Sequence, residues 1–222
     1  MLIQIYETQS ATEARALVKA GVDHIGVLVG EGKFPREKSS TEAQEIFATV
    51  RPPAKRVALF LSHDRHYMAE ILKQLKPDIV QIGTFPDQFS PEDAGWLKKE
   101  CPTVQLMRVI PVTGPESIEE AKRYDGIADF LLTDTVLPKG TIIGATGKTH
   151  DWNLDRQIVE SVKIPVVIAG GLGPDNVAAA IATSHPAGVD CKSKTDAPDG
   201  TRKDLKKVAA FVAAVRAAAS DG

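Results

Sequence analysis

The sequence predicts an α/β protein, a single (β/α)8 barrel of the TIM class spanning residues 1–222, and three observations predict it. Short, almost wholly apolar runs alternate with amphipathic stretches along the chain, as expected of parallel strands buried on both faces with helices between them. The pattern repeats through eight units, with no leftover segment large enough for a second domain. The glycine-rich turn "AGGLG" follows the seventh apolar run. A doubly wound open sheet, the competing arrangement, would carry GxGxxG after its first strand.

The units follow in order. "LIQIY" (2–6) is the first strand, and "SATEARALVKAG" opens on a Ser cap and stops at a Gly. "HIGVLV" (24–29) precedes "STEAQEIFATV", which places Ala43, Ile46, Phe47 and Val50 on one helix face. "RVALFLS" (56–62), "DIVQIG" (78–83), "QLMRVIPV" (105–112) and "DFLLTD" (129–134) are the next strands. "RHYMAEILKQLK", "SPEDAGWLKKE", "ESIEEAKRY" and "NLDRQIVESVK" are the helices that follow them. "PVVIAG" (165–170) leads into "PDNVAAAIATS", and "AGVDCKS" (187–193) into "KDLKKVAAFVAAVRAAA".

Composition narrows the function. Net charge is −2 and hydrophobic residues make up 43%, which gives ample core and no electrostatic footprint for nucleic acid or an anionic membrane. No apolar run approaches the roughly 20 residues that span a bilayer. The opening "MLIQIYETQS" lacks the basic region and long apolar run of a signal peptide. The two cysteines, Cys101 and Cys191, form no CxxC and sit near no His cluster, so neither a disulfide framework nor a metal site is expected. The expectation is a cytoplasmic monomer or homodimer acting on a small molecule.

A barrel carries its chemistry at the C-terminal ends of its strands. Gly170 and Gly171, before a helix start, suit close backbone approach to a phosphate; a tight βα turn accounts for them equally. Ser193, with Lys192 or Lys194, can complete such a site after the eighth strand. Asp134 ends an apolar run and can serve as a general acid or base if partly buried. Arg36, in "GKFPREK", can clamp a carboxylate. "GATGKTHDW" (144–152) lacks Walker A spacing and reads as an active-site loop from which Lys148 and His150 either reach ligand or are solvated.

Together these pieces resemble phosphoribosylanthranilate isomerase. "KAGVDHIGVLV", "DIVQIG", "DFLLTDT", "GATGKTHDW", "PVVIAGGLGPDNVAAAI" and "GVDCKSKTDAPDGTRKDLKKVAAF" are similar to that family's motifs from end to end. The resemblance implies a cofactor-free Amadori rearrangement of a phosphoribosyl amine in tryptophan biosynthesis. It implies Asp134 as general acid, Arg36 on the anthranilate carboxylate, Asp190 near the sugar, and Gly170, Gly171 and Ser193 on the phosphate; Gln81 is expected to bind substrate as well, and Lys194 to join the phosphate site as a cation. The departures fall at the mouth. "QIYE" stands where the family has KICG, so Tyr6 replaces the Cys base and Glu7 its Gly. Gly83 replaces a His, and Lys192–Ser193–Lys194 replaces Ser-Ser-Gly. Tyr6 or Glu7 is left to act as base. Phenol, with an ordinary pKa near 10, is poorly suited to that. By strand alternation Glu7 would face away from Gln4 and Tyr6 unless the strand end breaks it. A divergent isomerase, epimerase or lyase on another phosphorylated sugar or keto compound, and a non-catalytic phosphosugar-binding barrel, are the alternatives.

Overall fold

The computed structural model describes residues 1–136, 143–144 and 146–220; residues 137–142, 145 and 221–222, one of them inside the 144–152 loop, lie outside it. The strands are β1 (Leu2–Ile5), β2 (His24–Leu28), β3 (Lys55–Phe60), β4 (Ile79–Ile82), β5 (Gln105–Val112), β6 (Phe130–Thr135), β7 (Val166–Ile168) and β8 (Gly188–Cys191). They form a closed parallel barrel in sequence order, with β8 pairing back to β1 from Leu2↔Gly188 to Ile5↔Cys191. The helices are α1 (Ala11–Lys19), α2 (Ser40–Phe47), α3 (Arg65–Leu75), α4 (Pro91–Glu100), α5 (Glu116–Tyr124), α6 (Trp152–Ser161), α7 (Val177–Ser184) and α8 (Leu205–Ser220). The predicted fold class is the observed one.

Local chemistry sets the helix starts. Ser10 accepts the Glu13 N–H, Ser39 and Ser90 form capping boxes with Glu42 and Asp93, and α4 places Pro91 in its first turn. No helix among the described residues is long and apolar enough to cross a membrane.

The period-2 alternation of the strands divides the core in two. Val57, Ile79, Met107, Val109, Leu132, Val167 and Ala169 fill the barrel. Ala58, Phe60, Val80, Leu106, Ile110, Leu131, Val166 and Val189 pack outward against the helices. A polar layer crosses the interior: Gln4 Nε2 donates to Gln81 Oε1 at 2.8 Å, and Gln4 Oε1 lies 3.2 Å from His24 Nδ1. Burial, reinforced by Lys55, lowers the His24 pKa to about 4, so this imidazole is neutral and donates to Gln4. The same alternation turns Asp134 into the barrel mouth and Thr135 outward, which gives these neighbours separate tasks.

Candidate active site

At the C-terminal mouth Tyr6, Glu7, Arg36, Gln81, Asp134 and Asp190 line one cavity of about 210 Å³. Tyr6, Asp134 and Asp190 also line a smaller space of about 20 Å³, whose other walls include Gly170, Gly171 and Ser193. Lys192 borders both spaces. Lys194 is the exception among the predicted site residues: it is exposed and lines neither space. Residues Ser193–Thr195 form a short 3₁₀ turn, which rotates successive side chains by about 120° and carries Lys194 outward while Ser193 faces in. Its stem packs instead beside Gly173. The expectation of Lys194 at the phosphate site is thus corrected to Lys192, a choice the sequence could not make because a one-turn 3₁₀ segment leaves no periodic signature.

Asp134 and Asp190 are the titratable pair of the mouth. Burial pushes the Asp134 carboxyl up to about 7, against the opposing pull of the Thr135 N–H, which donates to its Oδ1 at 2.7 Å, and of His150. Burial and then the Asp134 charge push Asp190 up to about 8. Asp190 Oδ1 has no hydrogen-bond partner among the described residues. Gly144, at φ 79°, lays the loop backbone directly over Asp134, where any Cβ would collide with the carboxylate.

Burial raises the Tyr6 phenol well above its ordinary value of 10, and the charges of Glu7, Asp190 and Asp134 raise it further. Its hydroxyl therefore keeps its proton at neutral pH. This overturns the expectation of Tyr6 as a proton acceptor and leaves it a donor. Glu7 has φ 61°, a left-handed backbone that breaks strand alternation and brings Glu7 into the same cavity as Tyr6. Its Oε2 lies 3.1 Å from Arg36 Nε and 3.4 Å from Lys192 Nζ. Arg36 Nη1 donates to Asp196 Oδ2 at 3.0 Å and to the Gly200 carbonyl at 2.9 Å, and Nη2 donates to the Glu7 carbonyl at 2.9 Å. Arg36 thus does clamp carboxylates, but they are the protein's own, and its bidentate face is already engaged.

The glycine pair is shaped by its neighbours. Gly170 has φ 84° and Gly171 φ 62°. A Cβ on Gly170 would strike Thr135 Oγ1 and come within 3.0 Å of His150 Nδ1, and one on Gly171 would lie 2.6 Å from the Lys148 carbonyl carbon. Segment 147–150 therefore fills the room that these glycines leave. Asn176 closes the turn, accepting the Gly173 N–H at 2.7 Å and donating to the Gly171 carbonyl at 3.1 Å. The adjoining space of about 20 Å³ is on the scale of one water molecule, so a phosphate entering there requires Lys192, Ser193 or the 146–147 backbone to shift. His150 neither reaches the cavity nor is solvated: its side chain is 7% exposed and its Nε2 lies 2.8 Å from Asp155 Oδ2. No cluster of metal-ligating side chains occurs among the described residues.

Residues 3–214 match the family model for N-(5'-phosphoribosyl)anthranilate (PRA) isomerase. The N-(5'-phosphoribosyl)anthranilate isomerase of Methanocella arvoryzae is 34% identical over 215 residues, covering 96% of this chain and 97% of that one. The isomerase of Rhodospirillum rubrum is 34% identical over 221 residues, covering 97% of each. The crystal structure of the Thermotoga maritima isomerase superposes with a TM-score of 0.84 over 98% of this chain and 99% of that one, at 24% identity, a likeness of fold. By the near full-length match of sequence, this chain belongs to the N-(5'-phosphoribosyl)anthranilate isomerase family.

Proposed function

We propose that this protein isomerises N-(5'-phosphoribosyl)anthranilate from aldose to ketose, the activity named for its relatives, and that Asp134 and Asp190 carry the proton transfers. The supporting observation is the placement of two carboxyls at the ends of β6 and β8, on one cavity, with proton affinities raised into the neutral range. Such a pair holds one proton to give and one lone pair to receive it near neutral pH. Asp134, as acid, protonates the ribose ring oxygen. The C1–O bond breaks and the amine nitrogen's lone pair forms a protonated Schiff base. The reactive form of the pair has its proton on Asp134 and its charge on Asp190, the less populated arrangement because Asp190 has the higher proton affinity; in that form the Asp190 carboxylate removes the C2 proton, and the C–H electrons become the enolamine double bond, which tautomerises to the ketone. Atoms and electrons balance without an external oxidant or reductant. Tyr6 keeps its proton and serves as a hydrogen-bond donor, while Glu7 is held by Arg36 and Lys192. Lys192, beside Ser193 and the glycine pair, is the cation placed to meet the phosphate.

Expression in a tryptophan auxotroph lacking this isomerase is expected to restore growth. Asp134→Asn and Asp190→Asn are each expected to lower kcat by about 10²–10⁴-fold, the usual contribution of a positioned acid or base. Tyr6→Phe is expected to cost less than about tenfold, a lost neutral hydrogen bond. No growth at high expression of folded protein would overturn the assignment. One observation favours a second reading, a divergent isomerase whose amine carries no carboxylate: Glu7 already sits in the Arg36 clamp. Turnover of the phosphoribosyl derivative of aniline, with none of the anthranilate derivative, would select it.

A further inference from the structure

The hydrogen bonds behind Asp134 converge on a buried histidine. Thr135 Oγ1 lies 2.9 Å from the Lys148 carbonyl and 2.9 Å from His150 Nδ1. A hydroxyl has one proton to donate. The carbonyl can only accept, so Thr135 donates to it and His150 Nδ1–H donates to Thr135. On the other side of the ring, Nε2 faces the Asp155 carboxylate at 2.8 Å, and Asp155 is fully buried. Both ring nitrogens of His150 therefore face acceptors, the Thr135 hydroxyl oxygen on one side and the Asp155 carboxylate on the other. The N-terminal turn of α6 favours the negative partner, because Asp155 lies in that turn. The surroundings are cut to fit: Gly170 has no side chain where one would strike Thr135 and His150. The family motif that "GATGKTHDW" resembles has Phe at this position, so the histidine is a departure of this chain.

We propose that His150, held by Asp155, is a positioning residue for the isomerisation: it clamps the Gly147–His150 segment to the ends of β6 and β7 and places a fixed positive charge behind Asp134. The proposal rests on the isomerase reading for its kinetic consequence, but not for its structural one. Thr135 links the two residues, since its N–H holds Asp134 Oδ1 at 2.7 Å while its hydroxyl holds His150. The charged and titratable groups facing Asp134 are Tyr6 and Glu7 just past β1, Arg36 from the β2–α2 connection, Asp190 from β8 with Lys192 just past it, and His150 with Asp155 from the β6–α6 connection and α6. Of these, His150 pulls the Asp134 proton affinity down and Asp155 pushes it up, with His150 the larger effect.

The test uses the full chain and the variants His150→Phe, His150→Gln and Asp155→Asn, with folding checked by circular dichroism. In wild type, nitrogen NMR of the imidazole is expected to show both His150 nitrogens protonated at pH 7, and in Asp155→Asn only one. The midpoint of the Asp134 carboxyl titration, read by carbon NMR without substrate, is expected to rise by about half a pH unit or more in His150→Phe and His150→Gln, as loss of a nearby cation requires. A general acid works while protonated, so the limb of the kcat/KM profile for N-(5'-phosphoribosyl)anthranilate that Asp134 governs should move upward by the same amount. His150→Gln, which keeps a donor toward Thr135, should retain more kcat than His150→Phe. A neutral His150 in wild type, or an Asp134 midpoint unmoved in both folded variants, overturns the proposal. If the midpoint moves while wild type shows no isomerase turnover, the proposal stands and the assigned activity falls.

Discussion

A single residue, Glu7, concentrates the difference between this mouth and its family pattern. The motif it departs from has glycine there, and the backbone still has the φ of 61° that suits glycine. Holding a glutamate in that conformation costs about 1–2 kcal/mol. The side chain gains in return two cationic neighbours, Arg36 at 3.1 Å and Lys192 at 3.4 Å. Glu7→Gly releases the strain and loses the ion pair, so its effect on stability is expected to be small, within about 1 kcal/mol. Its effect on binding should be selective. With Arg36 Nε free, affinity for a 1-amino-1-deoxyribulose 5-phosphate bearing an o-carboxyphenyl group on its nitrogen should rise by about tenfold, while that for the same compound with a plain phenyl group stays unchanged. Isothermal calorimetry with the two analogues measures this. An equal change for both would mean that Glu7 shapes the cavity without competing for Arg36.

At the scale of elements, the strands and helices were legible because each combines an apolar period with a stop signal. "DFLLTD" predicts β6 over 129–134, and the strand runs Phe130–Thr135; Ala43, Ile46, Phe47 and Val50 are buried on α2 and the turn after it, as their spacing requires. Asp134, Asp190 and Arg36 were legible as mouth residues from their positions just past apolar runs. What the sequence left hidden lies between elements. Nothing in "GATGKTHDW" says that His150 folds back onto Thr135, since that contact depends on Gly170, twenty residues further on. Nor does the string "QIYE" announce the left-handed turn at Glu7. The element-scale reading of Gly170 makes a test possible. Gly170→Ala carries both the cost of a positive φ and a collision with Thr135 and His150, whereas Gly126→Ala, at φ 83° with no atom within 4 Å of the added Cβ, carries the backbone cost alone. Gly126→Ala is expected to lower unfolding free energy by about 1–2 kcal/mol, and Gly170→Ala by at least about 1 kcal/mol more. Denaturant midpoints for the two would decide it; equal losses would show that segment 147–150 yields freely and does not lock onto β7.

For the whole molecule, the mouth is a place where function works against stability. Asp134 and Asp190 have native pKa values raised to about 7 and about 8, chiefly by burial. In the unfolded chain both release their protons near pH 4. Between pH 4 and about 8 the native state therefore holds protons that the unfolded state has already lost, and stability falls as pH rises through that window. Below it both states are protonated and the contribution vanishes; above it the penalty is constant. The same mouth holds compensating pairs, with Lys203 Nζ 2.7 Å from Asp196 Oδ1 and Arg36 joining Asp196 to Glu7, and these tie the last unit of the barrel to the first. Those pairs include neither member of the acid pair, and the Lys203 and Glu7 charges act on Asp190 in opposite directions. The double variant Asp134→Asn/Asp190→Asn removes both ionisations. Its melting temperature relative to wild type is expected to be nearly level at pH 4 and to climb steadily to pH 8. There the gain should reach about 5 kcal/mol or more, or about 10–20 °C for a chain of this size. Calorimetric scans at pH 4, 6 and 8 supply the measurement. A gain that is the same at all three pH values would mean that the carboxyls ionise as freely in the fold as in water, and it would remove the basis for assigning them the proton transfers.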